Sequence, residues 1–524
     1  MAMSAGARAA LTVSLAGAGT GAAIAFLAWG PLPLGGDDWR WFRVPLPAWE
    51  RALAPLGVYA LIGIASLLAY QRAARLGRHQ VGMLVAILAA LAFVAQLLAA
   101  RQLPGDYNES IIALGKPGAN RYHAAAREVK DLVPVLRDYH NWMRTGPAKL
   151  IVTHPAGPLS LFWCLNQAYA GREAAAEGFV RWCEDWLSGG TRLRGPGASP
   201  ATAALFTTMT QAELAGVWLA TFVLRLAAAL AVIPVFAMAS RLYGRQAGFA
   251  AAAFAAVVPS FLVFSPGIDQ AFPALAATAC WLSWRAAEER SLWRAALAGA
   301  VVSLGLFFSL SFAVVAGWAG LLAVAGLFRG GERPRLPAVA RLAGAAAAGF
   351  ALPVLLLHLA VGYNSPAVWL RCAEANARFN AESGRAYWRW LLLNPLEFVV
   401  FVGPPAACLF LGRAASAARA LWGGARPEPV RGAGHGSVRE ADWPTLIIAG
   451  LLVALDIVGL NRGETPRLWM FLMPGCLVAA AGQLERLAPY RRAVFACLFA
   501  FQALQATAFK SLLDALSGMY RSLG

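Results

Sequence analysis

What most constrains this chain is a procession of apolar runs, each about 17 to 25 residues, the length a helix needs to cross roughly 30 Å of hydrocarbon. They fall near 10–34, 52–70, 80–100, 214–239, 246–264, 269–285, 342–362, 395–413, 444–460, 468–482 and 492–515. A further run, 295–328, is too long for one span, and Ser309 and Ser311 at its centre predict two helices turning there. The expected fold class is therefore all-α: a polytopic integral membrane protein of about 13 helices. With 59% hydrophobic and 14% charged residues, the 524-residue chain has too much apolar surface for water-soluble domains of ordinary proportions. The first run exceeds the apolar core of a signal peptide and other spans follow it, so an uncleaved helix is expected.

Charge gives the spans a direction. Lys+Arg number 45 against 27 Asp+Glu, a balance of +18, but the basic residues sit in short clusters between apolar runs. That is the signature of cytoplasmic loops beside anionic headgroups, and no basic stripe on a soluble domain points to nucleic acid. The clusters are Arg72, Arg75 and Arg78; Arg241 and Arg245; Arg333, Arg335 and Arg341; and the segments 413–439 and 486–492. Placing them inside predicts a cytoplasmic amino terminus in a plasma membrane and leaves 35–51, 101–157, 171–200, 264–269, 363–392 and 460–467 outside. The seven cysteines have no CxxC or zinc spacing; Cys183 and Cys372 are the pair worth testing for a bridge. Abundant Ala, Gly and Arg with few lysines hints at a GC-rich bacterial genome.

The outer segments carry the ionisable residues of interest. "LPGDYNES" sets Asp106 and Glu109 just beyond the third span. In the following stretch Tyr122, Val129, Leu132, Val133, Leu136 and Trp142 recur at helical spacing, predicting one amphipathic helix at the interface, bent at Pro134. Phe179, Trp182 and Trp186 mark a second. Between the inside loops 71–79 and 241–245 the chain must cross an even number of times, so the segment His154–Gly171 makes no net crossing alone. Pro155 and Pro158 suit a first helical turn and place His154 at its mouth. The turn "SPGIDQAF" brings Asp269 to the same side, and "NRGETPRLWMF" brings Glu464 and Arg467. Plainer roles stand beside these: Asp269 as a helix cap, Glu464 and Arg467 as a local ion pair, His154 as a helix-start residue. Trp369, Tyr387, Trp388 and Trp390 read as interfacial anchors, and Arg371, Arg378, Arg385 and Arg389 suit lipid or glycan phosphate.

The order of these features resembles that of the C-type membrane glycosyltransferases, the superfamily of polyprenyl-phosphate-dependent mannosyl- and aminoarabinosyltransferases. Asp106 in "GDYNES", the amphipathic stretch after it and "THPAG" at 153–157 are similar to that superfamily's first-loop acid, loop helices and His-Pro-Pro type motif, although Ala156 replaces a proline and Tyr107 replaces a second acid. Two additional spans at 1–79 make the amino-terminal end atypical of that superfamily; the resemblance implies a catalytic membrane region at 80–482, followed by a last span within 483–524. It implies a polyprenyl-phosphate-linked sugar as donor, Asp106 as general base with Glu109 as second choice, and His154 and Arg467 facing the phosphate. Asp269 and Glu464 would position the acceptor or a divalent cation such as Mg or Mn, or brace the arginine. Asp37 and Asp38 in "GGDDWRW" are rival bases. A transporter using Glu213, Arg225, His358 and Asp456 within spans, and a non-catalytic protein of the same shape, remain alternatives.

Overall fold

The computed structural model describes residues 3–30, 34–35, 40–44, 47, 49–103, 107–115, 121–145, 151–188, 193, 206–328, 336–422 and 442–516. Asp37, Asp38 and Asp106 lie outside them. The described chain is almost wholly helical and contains seven helical stretches long and apolar enough to cross a membrane, or eight counting one bent pair.

The chain opens with α1 (Ala5–Trp29), α2 (Leu53–Arg72) and α3 (Arg78–Ala99). Six short helices follow: α4 (Tyr107–Gly115), α5 (Arg121–Glu128), α6 (Leu132–Arg137), α7 (Tyr139–Thr145), α8 (Gly157–Gln167) and α9 (Glu173–Trp186). Then come α10 (Gln211–Leu230), α11 (Val232–Tyr243), α12 (Arg245–Ala256), α13 (Pro259–Val263) and α14 (Phe272–Glu289). The pair expected in 295–328 is α15 (Leu292–Phe308) and α16 (Phe312–Leu327). The Ser309 hydroxyl turns the chain between them, accepting from the Ser311 N–H at 3.2 Å. Next are α17 (Leu336–Val361), α18 (Ser365–Glu382), α19 (Tyr387–Val402), α20 (Pro404–Trp422) and α21 (Asp442–Val458). The chain closes with α22 (Thr465–Leu468), α23 (Met473–Glu485) and α24 (Arg491–Leu512). A small antiparallel sheet, β1 (Leu34–Gly35), β2 (Arg40–Arg43) and β3 (Leu513–Asp514), ties the first loop to the end of α24.

Three local expectations need correction. The stretch 122–142 is not one helix bent at Pro134: it breaks into α5, α6 and α7. Asp131 caps α6, its Oδ1 accepting from the Val133 N–H at 3.0 Å, which leaves Pro134 in a first turn where its missing N–H costs little. The apolar run 395–413 is not one straight span, because α19 and α20 meet at 116°. Gly403 turns there with φ +101°, followed by two prolines. The carbonyls freed by the break accept from glutamine amides of α24, Val402 from Gln502 at 2.6 Å and Val400 from Gln505 at 2.7 Å, as broken backbone in an apolar core requires. Cys183 and Cys372 are both free, buried thiols.

Two hydrophobic cores organise the molecule. The larger unites the spans, with the first and last helices packed together: a Cβ on Gly17 would meet the Phe501 ring at 3.2 Å. The second gathers the short helices α4 to α9 around the first half of α10, with Tyr363, Val368 and Cys372. Leu214 to Leu224 belong to this second core, whereas Ala229 onward belongs to the first. The continuous α10–α11 stretch of 33 residues is about 50 Å long, some 20 Å more than the hydrocarbon requires, and its extra length is the post on which the short helices build. Helix α8 is wedged between it and α15: a Cβ on Gly157 would meet the Phe307 carbonyl at 2.5 Å, and one on Gly216 would run into Asn166 Oδ1.

Loop contacts sort into two faces. On one, Arg241 pairs with Glu288 at 2.7 Å, Arg491 with Glu485 at 2.6 Å and Arg413 with Asp442 at 2.7 Å. On the other, Asn376 Nδ2 donates to the Thr153 carbonyl at 3.0 Å and Asn380 Nδ2 to the Leu460 carbonyl at 2.6 Å.

Candidate functional site

The second face holds a chain of alternating charges. Arg467 Nη2 lies 2.9 Å from Glu464 Oε2, and its Nε lies 3.5 Å from Asp269 Oδ2. The other Glu464 oxygen is 3.4 Å from Arg385 Nη2. Asp269, Arg467, Glu464 and Arg385 thus form an almost neutral row drawn from three separate segments. The local-pair reading of Glu464 and Arg467 is correct but incomplete, since the same guanidinium also takes Asp269. Asp269 is not a helix cap: α14 starts from Ala271, which makes no side-chain cap bond. Burial raises the Asp269 pKa, with Arg467 opposing and Glu464 adding to the rise. Burial would lower the Arg467 pKa, but Glu464 and then Asp269 raise it overall. The Arg467 side chain keeps 23% of its exposure, and no described residue bonds its Nη1, which leaves N–H donors for a ligand.

His154 stands beside this row through Tyr122, whose ring meets the imidazole edge-on at a centroid distance of 5.7 Å. Tyr122 also feels Asp269 and Arg467: burial foremost, then Asp269, hold its hydroxyl protonated, with Arg467 opposing. The "THPAG" segment is pinned from several sides. Thr153 Oγ1 and His154 Nδ1 are 2.9 Å apart, and the Ala156 N–H donates to Tyr363 Oη at 3.3 Å. Helix α8 begins at Gly157 with Pro158 in its first turn, so His154 does lie at a helix mouth. The neighbouring His123 points the other way: burial lowers its pKa to about 4, and its Nε2 lies 3.2 Å from Asn166 Oδ1. It is a neutral core histidine.

Glu109 belongs to a different cluster. It is buried in α4 beside Ser110, whose hydroxyl accepts from Arg225 Nη2 at 2.7 Å. Arg225 Nε donates to Ser265 Oγ at 3.1 Å, and Lys510 Nζ to the Ser265 carbonyl at 3.4 Å. Lys510 lies within the electrostatic reach of Glu109 and Asp514. Ser265 opens the turn that ends in Asp269, so this inner cluster supports the outer row through the backbone of that turn. Asp106 precedes α4 and, like Asp37 and Asp38, is not among the described residues.

Among the described residues no group of three or more His, Cys, Asp or Glu could hold a metal ion. Asp269 and Glu464 both face Arg467, so a cation placed between them would displace the guanidinium. The residues a transporter would use do not line up either. Glu213 forms a capping box with Thr210 and pairs with Arg127 at 3.1 Å, Asp456 accepts from Asn394 at 3.1 Å, and His358 is exposed. The anchors expected in 363–392 divide: Trp388 is 69% exposed but Trp390 only 5%, packed beneath Gly463. Arg385, read as a lipid contact, is buried in the row. Glu397 carried no sequence signal; it accepts from the Thr465 N–H at 3.3 Å and Oγ1 at 3.1 Å, beside Glu464.

Residues 196–373 match the family model described as dolichyl-phosphate-mannose-protein mannosyltransferase. Comparison with curated proteins gives no match. Among solved structures, the oligosaccharyltransferase of Archaeoglobus fulgidus, crystallised with zinc and sulfate, is similar at 16% identity and a TM-score of 0.33, over 61% of this chain and 45% of that one. The chain thus spans less than half of that relative's length. Over residues 196–373, then, the chain is similar to a mannosyltransferase family model, and that stretch lies within a many-spanning helical architecture.

Proposed function

We propose that the protein transfers a sugar from a polyprenyl-phosphate donor to a lipid, glycan or protein acceptor at the extracytoplasmic face of the plasma membrane. The observation that carries this is Arg467, held by carboxylates from two separate turns with N–H donors to spare, beside Tyr122 and His154. The acceptor hydroxyl attacks the anomeric carbon, the bond from that carbon to the phosphate oxygen breaks, and polyprenyl phosphate leaves with the electron pair. Arg467 and His154 face the phosphate and stabilise the charge growing on it. Asp269 and Glu464 brace the arginine, so little reorganisation is needed when that charge develops. Asp106 takes the acceptor's proton as general base. Glu109, close to Lys510, balances charge in the inner cluster. The side follows from charge: the face with Arg241, Arg245, Arg413 and Arg491 is the more basic and lies in the cytoplasm, which puts the Arg467 row outside.

The test is transfer from a labelled polyprenyl-phosphate sugar by purified protein in detergent. Asp106→Asn should abolish transfer with the thermal midpoint unchanged; an unaltered rate would remove Asp106 from its role. A transporter would consume no donor without a sealed membrane, so turnover in detergent also separates the two activities.

A further inference from the structure

We propose that Asn394, on α19, is a positioning residue that sets the Glu464 carboxylate against Arg467; the consequence for transfer rests on the function proposed above. Gly463 and Glu464 are both left-handed, with φ +88° and +57°. For a residue with a side chain that conformation is strained, and it persists where the surroundings over-determine it.

The surroundings here do so. Asn394 is buried, and its Nδ2 donates to the Asn461 carbonyl at 2.9 Å and to Asp456 Oδ1 at 3.1 Å. The bond to Asp456 decides which way round the amide faces, and so turns Oδ1 toward the Gly463 N–H, which donates to it at 3.0 Å. The backbone carbonyl of Asn394 accepts from Thr465 Oγ1 at 3.2 Å. Arg462 Nη1 donates to the Arg385 carbonyl at 3.0 Å, and Arg385 returns a bond to the Arg462 carbonyl. A Cβ on Gly463 would come within 2.9 Å of the Trp390 ring. The segment 461–465 therefore takes its shape from 385–397. Glu464 sits in no helix or strand, yet it reaches Arg467 with one oxygen and Arg385 with the other because Asn394 clamps the residue before it and the residue after it.

Two readouts test this on the full chain in detergent. The first is independent of catalysis: carbodiimide coupling to carboxylates, followed by mass spectrometry. In Asn394→Ala the coupling rate at Glu464 should rise severalfold while that at Glu485, on the opposite face, stays as in the wild type. An unchanged rate at Glu464 overturns the proposal. The second is a double-mutant cycle on transfer. Asn394→Ala should lower kcat about 100-fold with little change in KM, and should add nothing to Glu464→Gln when the two are combined. Additive losses would show that Asn394 acts elsewhere and also overturn it. If Asn394→Ala does not fold, Thr465→Val keeps the shape, removes one hydroxyl donor, and should give a smaller rise in coupling with the same lack of additivity; no rise overturns the proposal. Absence of transfer by the wild type would refute the proposed function, and the coupling result would still decide the role of Asn394.

Discussion

Two arginines at opposite ends of the bundle show how one ion pair differs in purpose from another. Arg413 pairs with Asp442 at 2.7 Å, with side-chain exposures of 0% and 7%, and its guanidinium lies over the Tyr243 ring at 5.2 Å. It has one acid, an aromatic lid and no opening. Arg467 has two acids, neither of which takes all its donors, and its side chain keeps 23% of its exposure. A closed pair staples helices together. A shared, partly open one holds a charge ready for something that arrives. Charge count alone cannot tell them apart; access can, since the Arg413 side chain is 0% exposed and that of Arg467 23%.

Exchanging each arginine for methionine gives the sharpest separation. Arg467→Met should lower transfer by about 10³-fold with little change in melting temperature. Arg413→Met should leave buried Asp442 unpaired and cost about 3–5 kcal/mol of stability, while the molecules that remain folded turn over normally. A loss of rate without a loss of stability at Arg413 would erase the distinction. Next in size is Trp390→Ala, which empties the space under Gly463 and should cost about 3–5 kcal/mol, read as a drop in melting temperature.

Acid offers a subtler probe of the open row. Burial raises the Asp269 pKa, so on acidification this carboxylate takes a proton and releases Arg467 at a pH above the ordinary aspartate value of about 3.9. A group whose folded pKa lies above its unfolded one stabilises fully below the unfolded value and loses that contribution as pH rises through the folded value. Acidification should therefore reduce transfer through Asp269 without costing stability through it. The expected result is an acid limb in the rate, with no fall in melting temperature due to Asp269, absent from the slower Asp269→Asn variant; an identical limb in that variant would place the titrating group elsewhere. The smallest effect belongs to exposed Trp388: Trp388→Ala should change stability by no more than about 0.5 kcal/mol and leave kcat unaltered.

Much of this was legible from residue order. Apolar runs located helices, seven or eight of which among the described residues are long and apolar enough to cross a membrane, and Ser309 with Ser311 located the turn between α15 and α16. Loop charge grouped Asp106, His154, Asp269, Glu464 and Arg467 on one side; of these Asp269, Glu464 and Arg467 meet, His154 stands beside them through Tyr122, and Asp106 lies outside the described residues. Breaks inside helices were harder to see. Pro134 looked like a kink because proline stops a helix, yet Asp131 moved the helix start forward and made that proline harmless. The run 395–413 looked continuous because hydropathy does not register that Gly403 and two prolines interrupt the backbone bonds while Gln502 and Gln505 repair them from another helix. Tyr122 read as part of an apolar stripe, and Arg385 as one of several lipid-facing arginines, since periodicity reports a face but not what lies across from it.

Sequence by itself determined the solvent and the helical class, because bilayer thickness and the cost of exposed backbone in lipid admit few other solutions for such runs. Only the tertiary structure decided which of those ionisable residues meet. It set Glu109 within reach of Lys510, shared Arg467 between Asp269 and Glu464, and put Asn394 in charge of a turn some seventy residues away in the chain. Ion pairs and side-chain hydrogen bonds act over a few ångströms, and those distances exist only after the helices have packed.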